Sequence, residues 1–314
     1  MIDKKDIINV KSWMDLGDCN YEHDHKDDSI PESGVVYCNI EHITEFFEKC
    51  KKTDNRYVVI SGFSDYGVAY QEEHSVANDM LKFLPFVHHM IPNIQYNPLV
   101  IPPRCEVEEC NIEHKYSVKC YSHTRATFNE IPPNVVKWFL VNPMMQEDVV
   151  QGIPLGIGKD ATDTVFDTKR YELEDKSNLL YVNWQNYTLD RKYLKEYFMI
   201  NNFPWCTIIV EPKEFSEYLD ELSRHTFALC PDGNGVDSYR ILECIYAGTI
   251  PVVLDGPTFG YLQDLPILRV ESLSEVTSEF LQESLKKLSE KMDNLDMAKL
   301  SYWKNEIDKA KSLI

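Results

Sequence analysis

Arg240 and Glu243 stand three residues apart, directly behind a run of turn formers, Pro231-Asp232-Gly233-Asn234-Gly235. On a helix, side chains three apart share a face. An arginine there can fork onto phosphate oxygens, while a carboxylate accepts hydrogen bonds from a ribose diol. Gly233 and Gly235 let backbone N–H groups approach a ligand closely, and the positive end of a helix dipole favours an anion. Asp232, Asp237, Ser238 and Tyr239 line the same entry. The chemistry suits a nucleoside diphosphate. The plainer alternative is an ordinary ion pair on a helix surface, with glycines that only turn the chain.

Placing these residues requires a strand, a turn and a helix. Thr226 to Cys230 is a short apolar run stopped by Pro231, which predicts a buried strand and then a loop. Asp237 or Ser238 is the expected N-cap, Tyr239 to Ala247 the helix, and Gly248 its left-handed end. Thr249 to Leu254 is a β-branched strand. So little linker implies a right-handed crossover in a parallel sheet, whose ligands sit beyond the carboxyl ends of the strands.

The whole string, with Phe227, Leu229, Pro231, Gly233, Ser238, Arg240, Glu243, Ala247, Gly248, Ile250, Pro251, Val252, Val253 and Leu254, resembles the nucleotide-sugar-binding half of exostosin-type glycosyltransferases. Trp138, Phe139 and Asn142, followed by Ile153, Pro154 and Gly156, resemble the close of the N-terminal domain in related enzymes. The resemblance implies an α/β protein of GT-B architecture, with two Rossmann-like domains facing across a cleft. The expected division is an acceptor-side domain over 1–160, with 93–123 as an insertion, and a donor domain over 161–314. It further implies transfer of a sugar from a nucleotide sugar, a UDP-sugar foremost, to a glycan hydroxyl. Asn183 and Arg191, where a strand of the second domain turns into a helix, join the donor-binding candidates, Arg191 as a second cation for the phosphates. A solvated helix arginine is the plainer reading of Arg191.

Composition sets limits. A net charge of −19, from 32 basic and 51 acidic residues, argues against a nucleic-acid partner, because phosphate-backbone binding needs clustered Lys and Arg. Nothing approaches the ~18 uninterrupted apolar residues of a membrane span, and the start of the chain lacks a signal-peptide core. A cytoplasmic address is expected. Nine scattered cysteines read as reduced thiols. Cys105, Cys110, His114, Cys120 and His123 lack zinc-finger spacing, and the acidic, His-bearing run His23 to Asp28 reads as part of a solvated entry segment over 1–34.

Within the first domain Val35 to Ile40 and Tyr57 to Ser61 are expected strands around a helix from Glu41 to Lys52. The second strand runs into Gly62-Phe63-Ser64-Asp65-Tyr66-Gly67, a loop at a carboxyl strand end, where this fold class places chemistry. Inverting transfer needs a base for the acceptor hydroxyl. Asp65 is the first candidate and His74 the second. No Asp-x-Asp motif is present, so leaving-group stabilisation falls to a helix end and arginine, and no metal cofactor is expected. A nucleotide-sugar epimerase of the same fold and a binding module without a base remain the alternatives.

Overall fold

A computed structural model describes residues 2–21, 30–62, 67–70, 124–184, 189–233, 235–271 and 275–314. The run from His23 to Asp28, the 93–123 segment with its cysteines and histidines, Asp65 and His74 all lie outside the described residues.

The first unit contains β1 (Cys19–Asn20), β2 (Gly34–Tyr37), α1 (Ile43–Cys50), β3 (Tyr57–Ser61), β4 (Gly67–Tyr70), β5 (Thr124–Phe128), β6 (Val135–Val141) and β7 (Val150–Ile153). Five strands form one parallel sheet in the order β1-β2-β3-β6-β7, and β4 pairs with β5 separately, also in parallel. After a short helix α2 (Thr162–Asp167), the second unit alternates β8 (Asn178–Val182), α3 (Leu189–Asn201), β9 (Cys206–Ile208), α4 (Phe215–Ser223), β10 (His225–Leu229), α5 (Tyr239–Tyr246), β11 (Ile250–Leu254), α6 (Pro257–Gly260) and β12 (Leu268–Val270). Its sheet is parallel throughout, in the order β9-β8-β10-β11-β12. Helices α7 (Ser278–Asp293) and α8 (Leu300–Lys311) follow. These are two Rossmann-like α/β units, the pair of parallel sheets that a GT-B architecture requires.

The strand order of the first sheet has a physical consequence. Strands added always to the same side, by right-handed crossovers, put those crossovers on one face. On that face Phe47 of α1 packs edge-on against Trp138, with ring centroids 5.0 Å apart. The other face, carrying Val35, Tyr37, Val58, Ile60, Phe139 and Val141 at the two-residue period of a strand, must find another cover. The start of the chain and α8 supply it: Ile7, Ile8, Trp13, Trp303 and Ile307 are buried in the same cluster. Trp13 meets Trp303 at 6.1 Å and donates its indole N–H to the Pro154 carbonyl at 3.1 Å.

The reading of 1–34 as a solvated entry segment is therefore corrected for residues 2–21. Its apolar residues follow neither a helical nor a strand period, because each anchors separately. Helix α8, from the end of the chain, crosses back onto β2 and β3. The expected first strand is shorter, since Ile40–His42 forms a 3₁₀ turn leading into α1. Strand β7 has no counterpart among the expected elements; Val-Gln-Gly-Ile is too short and glycine-broken to stand out.

One buried cluster runs from the first sheet to the second, where Tyr181, Ala228, Cys230 and Val253 belong to it. The units thus share a core. Among the described residues Cys50, Cys206, Cys230 and Cys244 are free thiols. Among the described residues no helix is long and apolar enough to cross a membrane.

Candidate functional site

In the second sheet the strand order reverses between β8 and β10, because β9 lies to one side of β8 and all later strands lie to the other. A parallel sheet opens a crevice at such a reversal, beyond the carboxyl ends of the two strands. The residues at those two ends are Asn183, just past β8, and Pro231 to Gly233, just past β10. The sequence candidates for donor binding therefore fall around one topological point.

Arg191, from the first turns of α3, reaches across that point. Its Nε donates to the Asp232 carbonyl at 2.9 Å and its Nη2 to the Pro231 carbonyl at 3.0 Å. This is no solvated helix arginine. It also explains Gly233, where a Cβ would sit 3.1 Å from Arg191 Nη2. The Gly233 N–H is spent inside the turn, on the Gly235 carbonyl at 2.9 Å, so this glycine makes room for the arginine rather than offering an amide. Asn183 donates to the Tyr181 hydroxyl at 2.9 Å, which in turn donates to Glu221 of α4 at 3.1 Å.

Helix α5 begins where the sequence puts it, and Gly248 closes it with φ +77°. Ser238 occupies the N-cap position in an extended conformation, but its side chain makes no capping bond. Asp237 does not cap either. Its carboxylate is buried and accepts the Leu155 amide at 2.7 Å, while its own N–H donates to Asn142 Oδ1 at 2.8 Å. Both partners belong to the first unit. Asp237 thus fastens the turn to the strand ends beyond β6 and β7, while the N-cap position, for which the sequence offers both Asp237 and Ser238, belongs to Ser238. Asn142 serves this joint from a left-handed conformation, φ 54°, fully buried. The Trp-Phe-x-x-Asn and Ile-Pro-x-Gly motifs consequently meet the donor turn.

Arg240 and Glu243 share a face of α5 without spending themselves on each other. Glu243 is buried and its Oε2 accepts the Tyr218 hydroxyl at 3.1 Å. Burial pushes its carboxyl above the usual range, with Arg240 and the Tyr218 bond pulling the other way. The Arg240 guanidinium lies 5.0 Å from the centre of the Tyr218 ring, and its buried Nη1 has no hydrogen-bond partner. A buried, permanently charged N–H without an acceptor is expensive unless a ligand supplies one. Asp232 is also buried, whereas Tyr239 is 38% exposed at the helix start.

Sequence reasoning passed over Tyr218. A tyrosine on the apolar stripe of an amphipathic helix carries no motif, and only the fold sets α4 beside α5. A cavity of about 810 Å³ also opens at the opposite end of α5, lined by Arg170, Tyr171, Tyr246, Gly248 and Met292 among others. It lies past the end of α5, whereas the glycine turn precedes its start.

No family model and no curated protein matches the chain. Among solved structures, a crystal structure of an α1,3-fucosyltransferase is similar at 11% identity, over 88% of this chain and 69% of that one, with a TM-score of 0.31. So distant a likeness carries no argument about activity. The two-unit α/β fold stands on the sheet topology itself.

Proposed function

We propose that the protein is a glycosyltransferase that moves a sugar from a nucleotide sugar, a UDP-sugar foremost, to a hydroxyl of a glycan acceptor, with inversion and without a metal. The observation that carries this reading is the Arg240 guanidinium, which holds an unsatisfied buried N–H beside buried Glu243 at the crevice between β8 and β10. The exostosin-type resemblance of the same segment supplies the reaction class.

In this reading residues 161–314 bind the donor. The diphosphate lies against the start of α5, facing Arg240, with Arg191 holding the turn in shape, and Glu243 receives the ribose hydroxyls. As the acceptor oxygen attacks the anomeric carbon, the bond to the diphosphate oxygen breaks and the negative charge passes to a leaving group that faces Arg240 and the positive end of α5. Residues 1–160 present the acceptor, and a base there, Asp65 first and His74 second, takes the acceptor proton.

The test mixes the protein with a panel of nucleotide sugars, with and without glycan acceptors, and follows nucleoside diphosphate release. Acceptor-dependent release supports transfer. Interconverted donor would replace the proposal by an epimerase, and binding without turnover by a sugar-nucleotide-binding module. Undiminished transfer in EDTA is expected, and reversible loss there would remove the metal-free part of the reading.

A further inference from the structure

We infer that Tyr218 is the positioning residue that keeps Arg240 and Glu243 apart, so that both remain available to a nucleotide. The inference rests on the donor-site reading above and adds to it a residue outside every sequence motif.

Arginine and glutamate three apart on a helix attract each other, and in a partly buried crevice that attraction is stronger than on an open surface. Left to themselves, the pair would close into an ion pair and present neither a free guanidinium edge nor a free carboxylate. Tyr218 offers each a different partner. Its hydroxyl donates to Glu243 Oε2 at 3.1 Å, and its ring face lies under the Arg240 guanidinium at 5.0 Å. A ring face satisfies a cation without occupying its N–H groups, which point in the guanidinium plane. The Nη1 of Arg240 accordingly remains without an acceptor.

Tyr218 is itself held. It is 8% exposed and lies on α4 between Phe215 and Tyr181, with ring centroids 6.0 and 6.2 Å away. Glu221, one turn further along α4, accepts the Tyr181 hydroxyl that Asn183 also contacts. Helix α4 therefore braces two groups of donor candidates from behind: Arg240 with Glu243 through Tyr218, and Asn183 through Glu221 and Tyr181.

Tyr218→Phe keeps the ring and removes the hydroxyl, and Tyr218→Leu removes both. Calorimetry with UDP is expected to show affinity reduced about fivefold in Tyr218→Phe, the size of one lost hydrogen bond, and further in Tyr218→Leu. The deciding measurement is a double-mutant cycle with Glu243→Ala, which leaves the Tyr218 hydroxyl no acceptor at that position. If the hydroxyl acts by orienting the Glu243 carboxylate, Tyr218→Phe has little further effect once that carboxylate is gone. A general packing role would lower affinity by the same factor in both backgrounds, which would overturn the inference, as would wild-type affinity in Tyr218→Phe. Failure of the unmodified protein to bind UDP would instead strike the donor-site reading itself, and the positioning role with it. Thermal melts of each variant separate loss of the fold from loss of the site.

Discussion

The Asp237 carboxylate accepts the Leu155 backbone amide at 2.7 Å, so a residue at the threshold of α5 is bonded to the strand end of the other unit. The donor turn and the joint between the units are one structure. Asp237→Ala would leave a buried N–H without an acceptor, at a cost of about 1–3 kcal/mol. A lower melting temperature is expected together with weaker nucleotide binding. Unchanged stability would show that the contact contributes nothing.

Arg240→Ala removes a guanidinium whose buried Nη1 has no hydrogen-bond partner. UDP affinity should fall by roughly ten- to a hundredfold, equivalent to ~1.5–3 kcal/mol for a charge-assisted contact. Calorimetry reads this directly. Wild-type affinity would move the site elsewhere.

Glu243 gives a signature in pH. Burial raises its carboxyl above the ordinary 4.5, so the folded protein holds this proton at pH values where the unfolded chain has released it. Its contribution to stability is fully present below that ordinary value and declines as pH rises through the folded one. Glu243→Gln cannot titrate. The melting temperature of the variant relative to the native protein should therefore climb as pH rises above about 4.5, while UDP binding weakens. A difference that stays flat with pH would mean the carboxyl is not perturbed.

For Asp65, which lies outside the described residues, the expectation comes from the sequence alone. Asp65→Asn should retain donor binding and lose about 10²–10⁴-fold in turnover if it is the base. Near-normal turnover would redirect the search to His74.

Much of this architecture is legible in the chain. Tyr57 to Ser61 is a β-branched run whose strand coincides with expectation, and the Pro231 to Leu254 unit announces itself by a turn, a helix and a glycine stop. What stays hidden is whatever depends on partners far along the chain. Trp13 reads as a lone aromatic in a polar segment because its neighbours, Trp303 and Pro154, are distant in sequence. Asp237 reads as a cap since local geometry favours it there, and only the approach of Leu155 decides otherwise. Tyr218 belongs to no motif, and only its contacts with Arg240 and Glu243 single it out. Local pattern gives the elements and the anion-binding turn, while the braces and fasteners around that turn come from tertiary contact.

The face of the first sheet that rests on both Trp13 and Trp303 also bears on synthesis. A ribosome delivers residues 2 to 153 long before α8, so the first unit emerges with one side of its sheet lacking its last cover. Contacts spanning nearly the whole chain, such as the bridge between Ile7 and Lys299, close late and slow the search for the native state. Until the last helix arrives, the nascent first unit therefore carries an apolar sheet face without its full cover.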